Sequence, residues 1–175
     1  SSNQLNQITI DKSAIYDVII IDSSNYCSEK LYSSVGIDTI KPLVVLNNPK
    51  ILNCKDTLSL LSSNGSSFGT NFSYNWITTN GNYIGNKTDT IINANLPGTY
   101  ILSILNTQNG CKDSLKSIVN QDITKPSIQF VAPNEINCIQ KVITVDGSLS
   151  SNGNQFKYLW TTIDGKIIGQ NNNNT

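Results

Sequence analysis

Four cysteines are the side chains in this 175-residue chain whose type and spacing could do chemistry, and the chemistry they suggest is covalent cross-linking. Cys27 and Cys111 stand 84 residues apart, and so do Cys54 and Cys138. No Cys-x-x-Cys pair occurs and the chain has no His, which removes the usual zinc spacings. With no His, and no Ser or Cys beside a base in any recognisable order, nucleophilic catalysis has no support. The chain is therefore expected to be a non-enzyme without cofactor or metal. Disulfides are the expected state of the thiols, and they imply secretion into an oxidising space. Each unit of the period owns two cysteines, one before its second strand and one opening its last. Pairing within a unit joins Cys54 to Cys111 and leaves Cys27 and Cys138 to partners outside the chain. The competing pattern joins Cys111 to Cys138 and Cys27 to Cys54 across the junctions.

The same period relates Trp76 to Trp160, Tyr16 to Tyr100, Pro42 to Pro126 and Phe72 to Phe156, with no gap. Residues 1–41 then form the C-terminal half of one repeat, 42–125 a complete repeat, and 126–175 the N-terminal half of a third. This partition raises the expectation of a segment from a longer tandem array. Twelve basic side chains balance twelve acidic ones, so no field steers the chain toward nucleic acid or an anionic membrane. At 38% hydrophobic and 14% charged, the chain is too apolar for a disordered linker and suits short strands with polar turns. Its longest apolar run, Val18 to Ile21, is far short of the roughly 20 residues of a membrane helix, and no signal peptide is legible.

The elements that must position these residues are short strands. Between residues 42 and 125 about seven apolar runs alternate with turn chemistry, the pattern of an antiparallel sandwich. They begin with Leu43 to Leu46 and Thr57 to Leu61, followed by a polar loop from Ser62 to Gly69. Phe72, Tyr74 and Trp76 alternate with Ser73 and Asn75 and so share one face of a strand, a pattern repeated at Phe156, Tyr158 and Trp160. Asn80-Gly81 and Asp164-Gly165 carry hairpin-turn chemistry. A weaker run at Thr90 to Ile92 precedes Thr99 to Leu105, apolar on both faces and thus a central strand, and Asn109-Gly110 turns it onto Asp113 to Val119. Residues 15–21 and 30–35 show the same pair in the first half-unit. Asp38-Thr39-Ile40-Lys41-Pro42 and Asp122-Ile123-Thr124-Lys125-Pro126 mark the junctions, which proline makes short and stiff.

Asn53-Cys54, Tyr74-x-Trp76, Pro97-Gly98-Thr99-Tyr100 and Asn109-Gly110-Cys111 resemble the immunoglobulin-like and PKD-like repeats of large surface proteins of gliding Bacteroidota. The resemblance covers the whole chain. It implies tandem β-sandwiches, export by the type 9 route, and service as adhesins, cell-surface fibres or stalks. The Trp-Asp-Phe-Gly-Asp-Gly segment typical of PKD domains is replaced by Trp76-Ile77-Thr78-Thr79-Asn80-Gly81.

Two further groups bear on function. The row Phe72, Tyr74, Trp76 could stack sugars, but an in-facing Trp on the third strand of such a sandwich is expected in the core, with Tyr100, Leu102 and, in the third unit, Trp160. Asp38 and Asp122 at the junctions are expected to cap turns or pair with lysine rather than hold calcium, which needs six to eight oxygens. The leading expectation is a structural or adhesive extracellular segment that self-associates into a fibre. The alternatives are a module binding surface glycan, protein or another cell through loops such as Ser62 to Gly69, and a spacer displaying an enzyme elsewhere.

Overall fold

A computed structural model of the chain describes residues 6–169, and among them there are eight strands and no helix. The strands are β1 (Ala14–Ile21), β2 (Ser28–Val35), β3 (Ser59–Ser62), β4 (Phe72–Thr78), β5 (Tyr83–Ile84), β6 (Ile91–Ala94), β7 (Gly98–Asn106) and β8 (Lys112–Val119). All pair antiparallel: β1 with β2, β3-β6-β5 in one sheet and β4-β7-β8 in another. The fold is thus all-β and sandwich-like. Two compact units divide the chain, Ser1–Asp122 and Ile123–Thr175.

The core of the first unit forms between its two three-stranded sheets. Leu61, Ile92 and Ala94 come from one sheet, and Tyr74, Trp76, Tyr100, Leu102, Ile104 and Val119 from the other, with Leu52 at an edge. Period-2 alternation produces this face, because Tyr74 lies opposite Ile104 and Trp76 opposite Leu102 on the inner surface of the β4·β7 ladder. Trp76 is only 1% exposed, and its indole N–H donates to the Asp89 carbonyl at 2.9 Å, so the ring is buried without orphaning its one donor. Phe72 packs against this cluster half-buried.

Tyr100 ties the sheets at one end. Its hydroxyl donates to the Leu96 carbonyl at 2.6 Å, lies 2.8 Å from the Asn82 carbonyl and accepts the Asn82 N–H at 3.1 Å. This explains Pro97-Gly98 and Asn80-Gly81 together. A Cβ on Gly81 would fall 2.5 Å from that hydroxyl, and one on Gly98 would fall 2.9 Å from the Gly81 backbone. Asn80-Gly81 is accordingly no hairpin turn: β4 and β5 belong to different sheets, and the dipeptide carries the chain between them under the tyrosine. Leu43 to Leu46 is not a strand either. Serine hydroxyls replace the ladder there, since Leu43 N–H donates to Ser67 Oγ, Val45 N–H donates to Ser66 Oγ, and Ser66 Oγ donates back to the Val45 carbonyl.

Much of this geometry recurs 84 residues along the chain. The β1·β2 register, Ala14 opposite Val35 and Ile21 opposite Ser28, is the β7·β8 register, Gly98 opposite Val119 and Leu105 opposite Lys112. The turns match as well, with Tyr26 N–H on the Asp22 carbonyl where Gly110 N–H binds that of Asn106. Tyr26 takes a positive φ of 62°, the conformation that Gly110 adopts at 72° without a Cβ penalty. In the second unit Gln129 N–H donates to Ser150 Oγ and Tyr158 hydroxyl to the Ser151 carbonyl, repeating Val45 with Ser66 and Tyr74 with Ser67.

Replacing Trp76 by Ala should cost about 3 to 5 kcal/mol in equilibrium denaturation, through lost burial and a residual cavity. A loss below about 1 kcal/mol would place the indole outside the core. Gly98→Ala should also lower the midpoint, because its Cβ meets backbone that has no rotamer by which to move away.

Candidate functional site

The aromatic row offers no platform in the first unit. Tyr74 and Trp76 are buried, and the Tyr74 hydroxyl donates to the Ser67 carbonyl at 2.6 Å. Burial raises the phenols of Tyr74 and Tyr100 above their ordinary value. The nearby loop frames a groove of about 430 Å³ lined by Ser63, Ser66, Phe68 and Tyr74 among others. Its hydroxyls are engaged within the fold, Ser63 with the Thr90 carbonyl and Ser66 with that of Val45. Phe68, 84% exposed, and the exposed Asn64 stand at the tip of the loop. Asn64, Asn71 and Asn86, each the first residue of an Asn-x-Ser/Thr triplet, are exposed.

At the first junction Asp38 caps its own turn, its Oδ1 accepting the Ile40 N–H at 3.0 Å. The Asn109 side chain also bonds to Asp38 and donates from Nδ2 to the Ile40 carbonyl at 3.0 Å. The junction is thereby fastened to the β7–β8 turn. The Ile40 N–H, and then Asn109, hold the Asp38 carboxyl below its ordinary value. Pro42 is buried, whereas Lys41 is exposed. Asp122 donates its N–H to the Leu52 carbonyl at 2.8 Å, and Asp122, Lys125 and Pro126 are exposed. No cluster of three metal-ligating residues exists among the described residues.

The cysteines carry free thiols, with Cys27, Cys54 and Cys138 exposed and Cys111 half-buried. Topology rules out the expected bridge between Cys54 and Cys111. Leu52 bridges Gln121, just beyond one end of β8, while Cys111 immediately precedes the other. Eight residues of strand leave them roughly 20 Å or more apart, against the 7 Å or so that a disulfide tolerates between Cα atoms. Cysteine count could not reveal this, because it carries no information about which end of the sandwich each residue occupies.

Two surfaces missed by motif reasoning stand out. On the first, the hairpin β1·β2, Val18 and Ile20 occupy the positions that correspond to the buried Leu102 and Ile104, and both are exposed. On the second, Phe130 and Trp160 meet at 5.6 Å beside a pocket of about 230 Å³ that Ile128, Phe156 and Tyr158 also line. Trp160 is half-buried, whereas Trp76 is sealed. The 84-residue spacing that aligns Trp160 with Trp76 was the available signal. The hairpin face is apolar at these positions, whereas the pocket mixes aromatic and aliphatic side chains with Ser127, Ser150, Ser151 and Lys157. No helix among the described residues is long and apolar enough to cross a membrane. No protein-family model matches the chain, and no curated protein is significantly similar to it.

The Asp38 contact has a pH dependence whose sign follows from its depressed carboxyl. The contact is intact above the ordinary carboxylate value of 3.8 and is lost as pH falls through the lower folded value. In an NMR titration the Asn109 side-chain amide should shift with an apparent pKa below 3.8, and Asp38→Ala should abolish the step. A midpoint at or above 3.8 would show that the junction is not fastened this way.

Proposed function

We propose that this chain is a structural and adhesive segment of an extracellular repeat protein, in which tandem immunoglobulin-like sandwiches of 84 residues form the body of a cell-surface filament or stalk. The observation that carries this reading is the recurrence, at one fixed spacing, of the hairpin register and of the serine and tyrosine hydrogen bonds. A chain that spends its polar side chains on fixing backbone, and repeats the same fixings, is doing mechanical rather than chemical work.

The immunoglobulin-like assignment is supported by strand order, since β3-β6-β5 facing β4-β7-β8 corresponds to the B-E-D and C-F-G arrangement of that fold. The hydroxyl of Tyr100, bonded to backbone four residues upstream at the start of β7, matches the tyrosine corner of such sandwiches, and Tyr16 repeats it toward Lys12 at 2.7 Å. The extracellular setting rests on the resemblance to surface repeats. Zero formal charge lets copies lie side by side without repulsion.

Electron microscopy of native material is the test. Beaded fibres with a subunit spacing of about 25 to 40 Å are expected, from strands of about seven residues plus turns. Isolated flexible single chains would overturn the filament reading. Binding of purified chain to surface glycans, lost on Phe68→Ala with the melting midpoint unchanged, would favour a ligand-binding module in its place.

A further inference from the structure

We propose that Asn64 is a site of self-modification, where the Asn64-Gly65 step closes to a succinimide and reopens as aspartate or isoaspartate, and that the isoaspartate loosens the hold of this loop on residues 43–45. The proposal goes beyond the filament reading and does not rest on it. Three Asn-Gly steps lie in the central sandwich: Asn64-Gly65, Asn80-Gly81 and Asn109-Gly110. All three have a sequence that favours ring closure, because glycine puts no Cβ in the way of its own nitrogen. In the closing step the glycine nitrogen attacks the Asn Cγ. A C–N bond forms as the Cγ–Nδ2 bond breaks, and ammonia leaves with the proton of the glycine amide. Water then adds to one of the two imide carbonyls. Opening at Cγ gives aspartate and opening at the backbone carbonyl gives isoaspartate, with no change of oxidation state.

The fold separates the three steps. Gly81 N–H donates to Thr78 Oγ1 at 3.0 Å, and Asn80 Oδ1 accepts the Thr99 N–H at 2.9 Å. Gly81 also lies against the Tyr100 hydroxyl, which leaves its backbone little room to turn. Gly110 N–H donates to the Asn106 carbonyl at 2.9 Å. The Asn109 side chain is held at both atoms, Oδ1 accepting the Cys111 N–H at 2.9 Å and Nδ2 donating to the Ile40 carbonyl at 3.0 Å. At these two steps the attacking nitrogen and the attacked amide are both tied elsewhere, and those bonds must open before the ring can close. Asn64-Gly65 differs. Asn64 is held through its backbone N–H, on Ser62 Oγ at 3.2 Å. Among the described residues no group bonds its side chain or the Gly65 N–H, and both residues are exposed.

The place of Asn64 in the fold gives the modification a consequence. Asn64 and Gly65 are the middle residues of a turn closed by Ser66 N–H on the Ser63 carbonyl at 2.9 Å. That turn presents Ser66 and Ser67 to the segment ahead of β3. Ser66 Oγ accepts the Val45 N–H at 2.8 Å and donates to the Val45 carbonyl at 3.0 Å, while Ser67 Oγ accepts the Leu43 N–H and Ser67 N–H donates to the Leu43 carbonyl, each at 3.0 Å. Isoaspartate carries the main chain through its side-chain carbon and so inserts a methylene between Ser63 and Ser66. The closing bond then loses its geometry, and the bonds to Leu43 and Val45 lose their alignment. Because they stand in place of a ladder, residues 43–45 open locally once they fail. Aspartate leaves the main chain unchanged and adds only a charge to an exposed side chain.

The test uses the 175-residue chain, aged folded in mildly alkaline buffer and then mapped by peptide sequencing in a mass spectrometer. Asn64 should convert at least about tenfold faster than Asn80 and Asn109, the factor that opening hydrogen bonds at those steps takes from their rates. In denaturant the three should convert at similar rates. Isoaspartate at position 64 should speed hydrogen exchange of the Leu43 and Val45 amides. Asn64→Gln aged alongside, and freshly prepared Asn64→Asp, should keep both amides protected. Equal rates at the three steps in the folded chain, or the same ranking in denaturant, overturns Asn64 as a site selected by the fold. Isoaspartate at position 64 with unchanged exchange at Leu43 and Val45 overturns the loosening, and so does equally fast exchange in Asn64→Asp, which would trace the effect to charge. None of these results bears on whether native material forms fibres.

Discussion

The burial of the Tyr100 ring, with its hydroxyl held by Leu96 and Asn82, is the constraint on which the rest of the sandwich depends. A phenol in a core must find partners for its polar end, and here those partners are backbone groups of two different loops. Satisfying them fixes where the chain crosses from β4 to β5 and where it turns into β7. The tightness of that arrangement leaves room only for glycine at 81 and 98. Once those crossings are set, the inner faces of the two sheets must meet, and Trp76, Leu102 and Ile104 close against Leu61 and Ile92.

A second principle runs through the polar residues. Ser59, Ser63 and Ser66 are buried, and each hydroxyl donates to a backbone carbonyl in a segment with no regular ladder. No buried side-chain nitrogen or oxygen among the described residues lacks a partner. A Ser- and Asn-rich chain can therefore build a core with ten buried hydrophobic residues among the described ones, because its hydroxyls substitute for missing strand bonds. The same economy commits the Ser63 and Ser66 hydroxyls of the Ser62 to Gly69 loop to the fold.

Outside the central sandwich the same local devices recur with less burial. The hydrogen bonds of the β1·β2 turn and of residues 127–158 persist, because they depend on residues close in sequence or on one neighbouring segment. The apolar side chains of Val18, Ile20 and Leu159 are exposed, because a core face is closed only by a second layer of strands.

The amino-acid order alone determined the all-β class and the sites of the main strands. These follow from alternation and turn residues, which are properties of neighbouring residues. The strand from Gly98 to Asn106 and the turn at Asn109-Gly110 were legible for that reason. Only tertiary structure decided that Leu43 to Leu46 is held by serines rather than by a ladder, that Asn80-Gly81 crosses between sheets, and that Cys54 and Cys111 lie at opposite ends of β8. Each of these depends on which distant segment arrives beside the residue, and residue type does not encode that. The exposed apolar side chains of β1 and of Leu159 belong to the same category, because their exposure depends on which distant segments pack beside them and not on residue type.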